Sequence, residues 1–132
     1  MNHARYWIDE AAESLKTAEV LWNGHRYLES GFFAHLTVEK ALKAFYVERR
    51  GGIPPKTHNL IVLAQQSGID AELTTEQLEM IADLAPLNIE SRYPQDREKI
   101  FKSTTPDGFM KYIENAREIL GWIISRLSTR NG

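Results

Sequence analysis

A row of polar side chains in the first third of this sequence could bind an anion or hold an ion pair. His35, Glu39 and Lys43 lie four residues apart, so a helix would bring them to one face, with Lys40 beside them. Glu39 four residues before Lys43 is the favourable order for a helical ion pair. The spacing leaves two interpretations open: a partly exposed strip with one ion pair, or a polar groove between helices that binds a ligand.

Two later segments carry groups that recognise phosphate. Residues 56–60, KTHNL, place His58 at the predicted start of a helix, where unpaired backbone N–H groups favour anions. Residues 91–94, SRYP, place Arg92 beside the ring of Tyr93 and a rigid proline. Arginine suits phosphate, and an aromatic ring can stack on a base. The structural alternatives are that His58 caps the helix and that Tyr93 packs against its own chain.

Together, the three segments predict one anion-binding site. The predicted ligand-binding residues are Lys40, Lys43, His58, Arg92 and Tyr93, supported by His35, Glu39 and Asn59. The competing interpretation is structural: Glu39 pairs with Arg92 or Lys43, and His58 ties its turn to the rest of the protein.

The charge distribution agrees with a local anion site. Residues 40–56 carry a net charge of +4 and residues 92–102 one of +2, whereas residues 67–91 carry −6. For the site to be open, the acidic helix within residues 76–83 must lie elsewhere. The formal net charge of the whole chain is −2, which excludes a globally basic nucleic-acid binder.

Helical periodicity runs through the chain and must position these residues. We predict helices over residues 6–23, 29–50, from an N-cap at Thr57 to near Gly68, from Thr74 to Leu84 or Leu87, and from Thr105-Pro106 onward. Residues 92–105 are predicted to form a loop with at most a short turn, because prolines bracket them. We find no strand-like alternation and no repeat. The sequence therefore predicts an all-α, up-and-down bundle of about five helices in one domain, residues 1–132.

Composition narrows the functional classes. The 132 residues are 42% hydrophobic and 26% charged, which is typical of a soluble globular domain. The absence of cysteine excludes a disulfide framework, a thiolate zinc site and a catalytic thiol. The first residues have no apolar signal core and no apolar run is long enough to cross a membrane, so we expect a cytoplasmic protein. The four histidines lack metal-ligand spacing and no phosphate-binding glycine loop occurs, so no metal or cofactor is predicted.

Two predicted helices are apolar around most of their circumference. The helix over residues 29–50 and the last helix both carry more apolar positions than one stripe requires. Either the former is the central helix of the bundle, or one of its sides faces a second subunit. The breadth of both helices together favours a homodimer.

The three polar segments also resemble a known family. FAHLTVEKALKAF at 33–45, PPKTHNL at 54–60 and SRYP at 91–94 resemble, in order and spacing, the HEPN (higher-eukaryote and prokaryote nucleotide-binding) domain. Many members have glutamine where this chain has His35. The resemblance covers nearly the whole chain and implies a bundle of about five helices, commonly dimeric. It also implies a minimal nucleotidyltransferase as partner, because bacterial and archaeal members are often encoded beside one as toxin–antitoxin-like pairs.

A large branch of that family consists of ribonucleases, and the sequence argues against this activity. Those enzymes have a histidine four to six residues after an arginine. Arg92 lies where the family arginine is expected, but residues 97–99, REK, occupy the histidine positions, and seven residues separate Arg50 from His58. Because acid–base cleavage of RNA needs that histidine, we predict no catalytic residue and no meaningful RNA cleavage.

The resulting functional prediction is a binding module that works with a nucleotidyltransferase and contacts a nucleotide or another phosphate ligand. Two alternatives stay open: a ribonuclease toxin in which His35 or His58 replaces the missing histidine, and a structural or regulatory subunit without a ligand.

Overall fold

The structure, a computed structural model, describes residues 3–127 as a bundle of six α-helices without strands. The helices are α1 His3–Asn23, α2 Tyr27–Arg50, α3 Leu60–Ser67, α4 Thr75–Leu84, α5 Pro94–Ser103 and α6 Pro106–Arg126. Short 3-10 turns at Ile69–Ala71, Ala85–Leu87 and Ile89–Ser91 connect α3 to α5. The predicted all-α bundle is confirmed. No helix in this described range combines the length and apolar character needed to cross a bilayer.

Helix α2 is the centre of the bundle. It packs against α1, α3 and α6 along its length and also touches α4 and α5. Its fully buried apolar residues are Ala34, Val38, Ala41, Leu42, Ala44 and Phe45. Because other helices of the same chain cover α2 on several sides, its central position explains why it is apolar around most of its circumference. This weakens one of the two observations that favoured a homodimer.

The predicted helix ends at Thr74 and Thr105 are confirmed. Thr74 Oγ1 accepts a hydrogen bond from the backbone N–H of Gln77, and the Gln77 side chain accepts one from the backbone N–H of Thr74. This reciprocal capping box begins α4. Thr105 accepts from the N–H of Gly108, with Pro106 at the first helical position. These local signals fix the ends of α4 and α6.

Two local predictions were wrong. Residues 92–105 contain a helix, α5, rather than a loop: Pro94 begins it, as Pro106 begins α6. No residue of α5 is buried, so the segment lacks the apolar stripe by which a helix is identified. The cap of α3 is Asn59 rather than Thr57, because Asn59 Oδ1 accepts hydrogen bonds from the N–H groups of Ile61 and Val62.

Candidate anion-binding groove

Two cavities that share lining residues form a groove beside the start of α3. The polar cavity, about 500 Å³, is lined by Thr57, His58, Asn59, Leu60, Ile61, Ala82, Ala85, Pro86, Asn88, Ser91 and Arg92. The aromatic cavity, about 410 Å³, is lined by Phe32, Phe33, Leu36, His58, Asn88, Glu90 and Ser91. His58, Asn88 and Ser91 line both, so the cavities adjoin along these three residues. Volumes of this size are those of small-molecule sites.

The His58 ring is held in one orientation by a buried carboxylate. Its Nδ1 lies 3.0 Å from Oε2 of Glu39, whose side chain is 5% exposed, whereas the His58 side chain is 69% exposed. A carboxylate only accepts hydrogen bonds, so Nδ1 carries the proton and donates it. Nε2 is therefore the ring nitrogen left for a ligand in the groove.

Lys43 completes the charge balance of this network. Its Nζ lies 3.1 Å from the same Oε2 of Glu39, and its side chain is 9% exposed. Nζ also lies 5.3 Å from the centroid of the Trp7 ring on α1, within the range of a cation–π contact. Lys43 thus reaches the groove only through Glu39 and His58.

His35 holds the backbone of the same segment. Its Nε2 lies 3.2 Å from the carbonyl oxygen of His58, to which it donates a hydrogen bond. The His35 side chain is fully buried, and this burial lowers its pKa, so the ring is neutral at pH 7. Helix α2 therefore fixes His58 twice, by its carbonyl through His35 and by its ring through Glu39.

The network contains two buried acceptors without a hydrogen-bond partner. They are Nδ1 of His35 and Oε1 of Glu39. Unpaired buried acceptors cost folding free energy. Sequences give up stability in this way chiefly at functional or strained sites, which marks this part of α2 as a functional candidate.

Arg92 brings a cation to the polar cavity. Its Nε donates to the carbonyl oxygen of Pro86 at 3.2 Å, which orients the guanidinium group. The terminal NH₂ groups have no hydrogen-bond acceptor among the described residues and remain free to bind phosphate bidentately. Asn59 also lines this cavity, but its Oδ1 is already used as the cap of α3.

The predicted residues do not all meet in the groove. His58, Asn59 and Arg92 line it, whereas Lys40 and Tyr93 do not. Lys40 Nζ lies 2.9 Å from Ser14 Oγ and 3.9 Å from Glu10 of α1. The Tyr93 side chain is exposed at the start of α5. Glu39 makes the contacts of the structural interpretation: it pairs with Lys43, and its carboxylate also contacts the His58 ring.

Sequence reasoning missed four groove residues. Asn88 and Glu90, between and within the 3-10 turns after α4, lie outside the three polar segments. Phe33 and Ser91 lie inside those segments but were not predicted to contact a ligand. The acidic side chains of α4 do not line either cavity, although Ala82 near its end does. Among residues 3–127, no cluster of three or more His, Asp or Glu side chains could hold a metal ion.

The comparisons with known proteins agree with this architecture. No curated protein sequence matches the chain. The crystal structure of TT1696 from Thermus thermophilus is similar with a TM-score of 0.81, at 23% sequence identity, over 96% of this chain and 100% of that one. At this identity the likeness shows a shared fold. The sequence also matches the HEPN domain over residues 4–127. The predicted resemblance is thus confirmed, and the chain belongs to the HEPN domain family.

Proposed function

We propose that this HEPN domain is a binding module that holds a nucleotide by its phosphate, with Arg92 and His58 as the main contacts. His58 makes this contact as an imidazolium, in which Nδ1–H donates to Glu39 and Nε2–H donates to the phosphate. The observation that carries the proposal is the His58 ring, which buried Glu39 holds at 3.0 Å in a groove that also contains an arginine. A group fixed in advance loses little conformational entropy when a ligand binds. The Arg92 guanidinium adds a charge and a bidentate geometry that match phosphate.

Calorimetric titration with AMP tests this proposal. Removing a charge-assisted hydrogen bond weakens binding by roughly 1.5–3 kcal/mol, so Arg92→Ala is expected to raise the Kd at least about tenfold. His58→Ala is expected to raise it less. Lys99→Ala is the matched control, because it removes an exposed cation of the same basic segment that lies outside the groove. Equal Kd values for wild type and Arg92→Ala would show that AMP binds elsewhere and would overturn the proposal. No binding at all would leave a structural subunit without a ligand.

The proposal includes a homodimer in the cytoplasm. Helix α6 supports the dimer, because it buries one apolar face against the core and still leaves Ile124 45% exposed outside that face. A second subunit could cover this exposed side chain. Light scattering at micromolar concentration is expected to give twice the chain mass of 15.2 kDa. A mass of one chain would contradict the dimer.

The proposal also includes a minimal nucleotidyltransferase as the protein partner, as in a toxin–antitoxin-like pair. Membership of the HEPN family supports it, because relatives are often encoded beside such an enzyme. Coexpression with a small nucleotidyltransferase from the adjacent gene is expected to give one co-eluting complex. Separate elution of the two proteins would count against the pair.

The second candidate function is RNA cleavage by a displaced histidine. The observation that favours it is the His58–Glu39 pair, because a carboxylate on Nδ1 leaves Nε2 as a base. We nevertheless expect no cleavage, since the arginine–histidine spacing of the HEPN ribonucleases is missing and no second histidine lines either described cavity. Cleavage of a generic RNA that disappears in His58→Ala would replace the binding module with this function.

A further inference from the structure

We infer that the base of the nucleotide lies in the aromatic cavity and that Glu90 accepts a hydrogen bond from an amino group of that base. The inference rests on the proposed function, because the phosphate must first occupy the polar cavity beside Arg92. It adds an orientation for the ligand and a class of base.

The two cavities share the lining residues His58, Asn88 and Ser91. Arg92 lines only the polar cavity, and Glu90 lines only the aromatic one. The groove therefore has a cationic end and an anionic end on either side of Ser91. Phosphate is attracted to the first end and repelled by the second, which gives a ligand that spans both cavities a single orientation.

The aromatic cavity offers a fixed apolar wall to a flat ring. Phe33 and Leu36 on α2 are partly exposed there, one turn of helix apart. The Phe33 ring meets the ring of Phe32 edge to face, with centroids 5.6 Å apart. Phe32 is in turn stacked on His35, with centroids 6.3 Å apart. Because these ring contacts hold Phe33 in place, it can stack on a base with little loss of side-chain conformational entropy.

Glu90 gives the aromatic cavity its chemical preference. It is the only acidic residue that lines either described cavity, and its side chain is exposed. A carboxylate accepts hydrogen bonds and donates none, so it favours an exocyclic amino group and disfavours a carbonyl oxygen. Adenine presents such an amino group beside an apolar ring. The geometry therefore points to an amino-bearing purine.

Calorimetry with three ligands tests the inference: AMP, purine riboside 5′-monophosphate, which lacks the amino group, and ribose 5-phosphate, which lacks the base. AMP is expected to bind about tenfold more tightly than purine riboside 5′-monophosphate, the scale of one hydrogen bond to a charged group. Both are expected to bind more tightly than ribose 5-phosphate. In Glu90→Gln the difference between the two purines is expected to shrink to about twofold, while ribose 5-phosphate binds no more weakly. Phe33→Leu, with its fold checked by thermal unfolding, is expected to weaken both purines but not ribose 5-phosphate.

The outcomes separate this inference from the proposed function. Equal binding of AMP and ribose 5-phosphate, lost in Arg92→Ala, would overturn the base site and keep the phosphate site. An equal loss for both purines in Glu90→Gln would show that Glu90 meets the ribose rather than the amino group, and the assignment of the base would fail. Absence of binding by all three ligands would overturn the proposed function and this inference together.

Discussion

Replacing Glu39 by alanine would leave the Lys43 ammonium group buried without its counter-ion. The two side chains are 5% and 9% exposed and lie 3.1 Å apart, so the ammonium group has little contact with solvent to compensate for the lost carboxylate. Breaking one side of a buried ion pair costs about 3–5 kcal/mol of unfolding free energy. The Trp7 ring contacts Lys43 before and after the substitution, so it leaves this difference unchanged. We therefore expect Glu39→Ala to lose about 3–5 kcal/mol in urea unfolding.

The pair Glu98–Lys102 provides a matched control. It has the same spacing and order on a helix, but its lysine and glutamate side chains are 72% and 63% exposed. Glu98→Ala is expected to lose only about 0.3–0.5 kcal/mol. The double variant Glu39→Met/Lys43→Met is expected to recover most of the loss, because apolar residues of similar volume replace buried ion pairs well. Equal losses in Glu39→Ala and Glu98→Ala would refute the buried network around His58.

Four further predictions concern stability. Burial lowers the pKa of His35 in the folded state, so the unfolded chain takes up a proton at a higher pH than the folded protein does. The His35 contribution to the free energy of unfolding is therefore expected to be complete above about pH 6.5 and to decrease as the pH falls below it. In urea unfolding from pH 7.5 to 5, the stability of His35→Gln is expected to decline less steeply than that of the wild type. In Gly31→Ala the new Cβ would lie 3.1 Å from the Phe109 ring, so we expect a loss of about 1–3 kcal/mol in thermal unfolding. Gly121→Ala on α6 has no atom within 4 Å of the new Cβ and should gain up to about 1 kcal/mol; a gain at both glycines would contradict the packing. Asn59→Ala is expected to lose about 1 kcal/mol by circular dichroism, and an unchanged midpoint would mean that Asn59 does not cap α3.

Two of the three predicted N-caps, at Thr74 and Thr105, are correct, whereas the one at Thr57 is not. The caps at Thr74 and Thr105 are local hydrogen-bond patterns, and both hold in the structure. Helix α5 could not be identified in this way, because it buries no side chain and its starting Pro94 also fits a loop. Whether a surface segment without an apolar stripe becomes helical depends on its tertiary contacts more than on its sequence pattern.

The same distinction between local sequence signals and tertiary packing applies to the residues of the site. The four-residue spacing of Glu39 and Lys43 predicts their ion pair, but not that it is buried, since burial depends on α1 packing over α2. The same packing turns Lys40 toward Ser14 and away from the groove. Glu90 could only be counted as one more acid of residues 67–91, because its place in the groove comes from a 3-10 turn.

The most direct test of the account is the position of the ligand on the protein. Titration of ¹⁵N-labelled protein with AMP is expected to shift the amide resonances of His58, Asn88, Ser91 and Arg92, which line the groove. The amide of Lys40, whose side chain faces α1, is expected to shift far less than these, because a pre-organised fold moves little on binding. Shifts centred on Lys40 and α1, or spread evenly over the chain, would contradict the central claim that the groove beside α3 is the binding site.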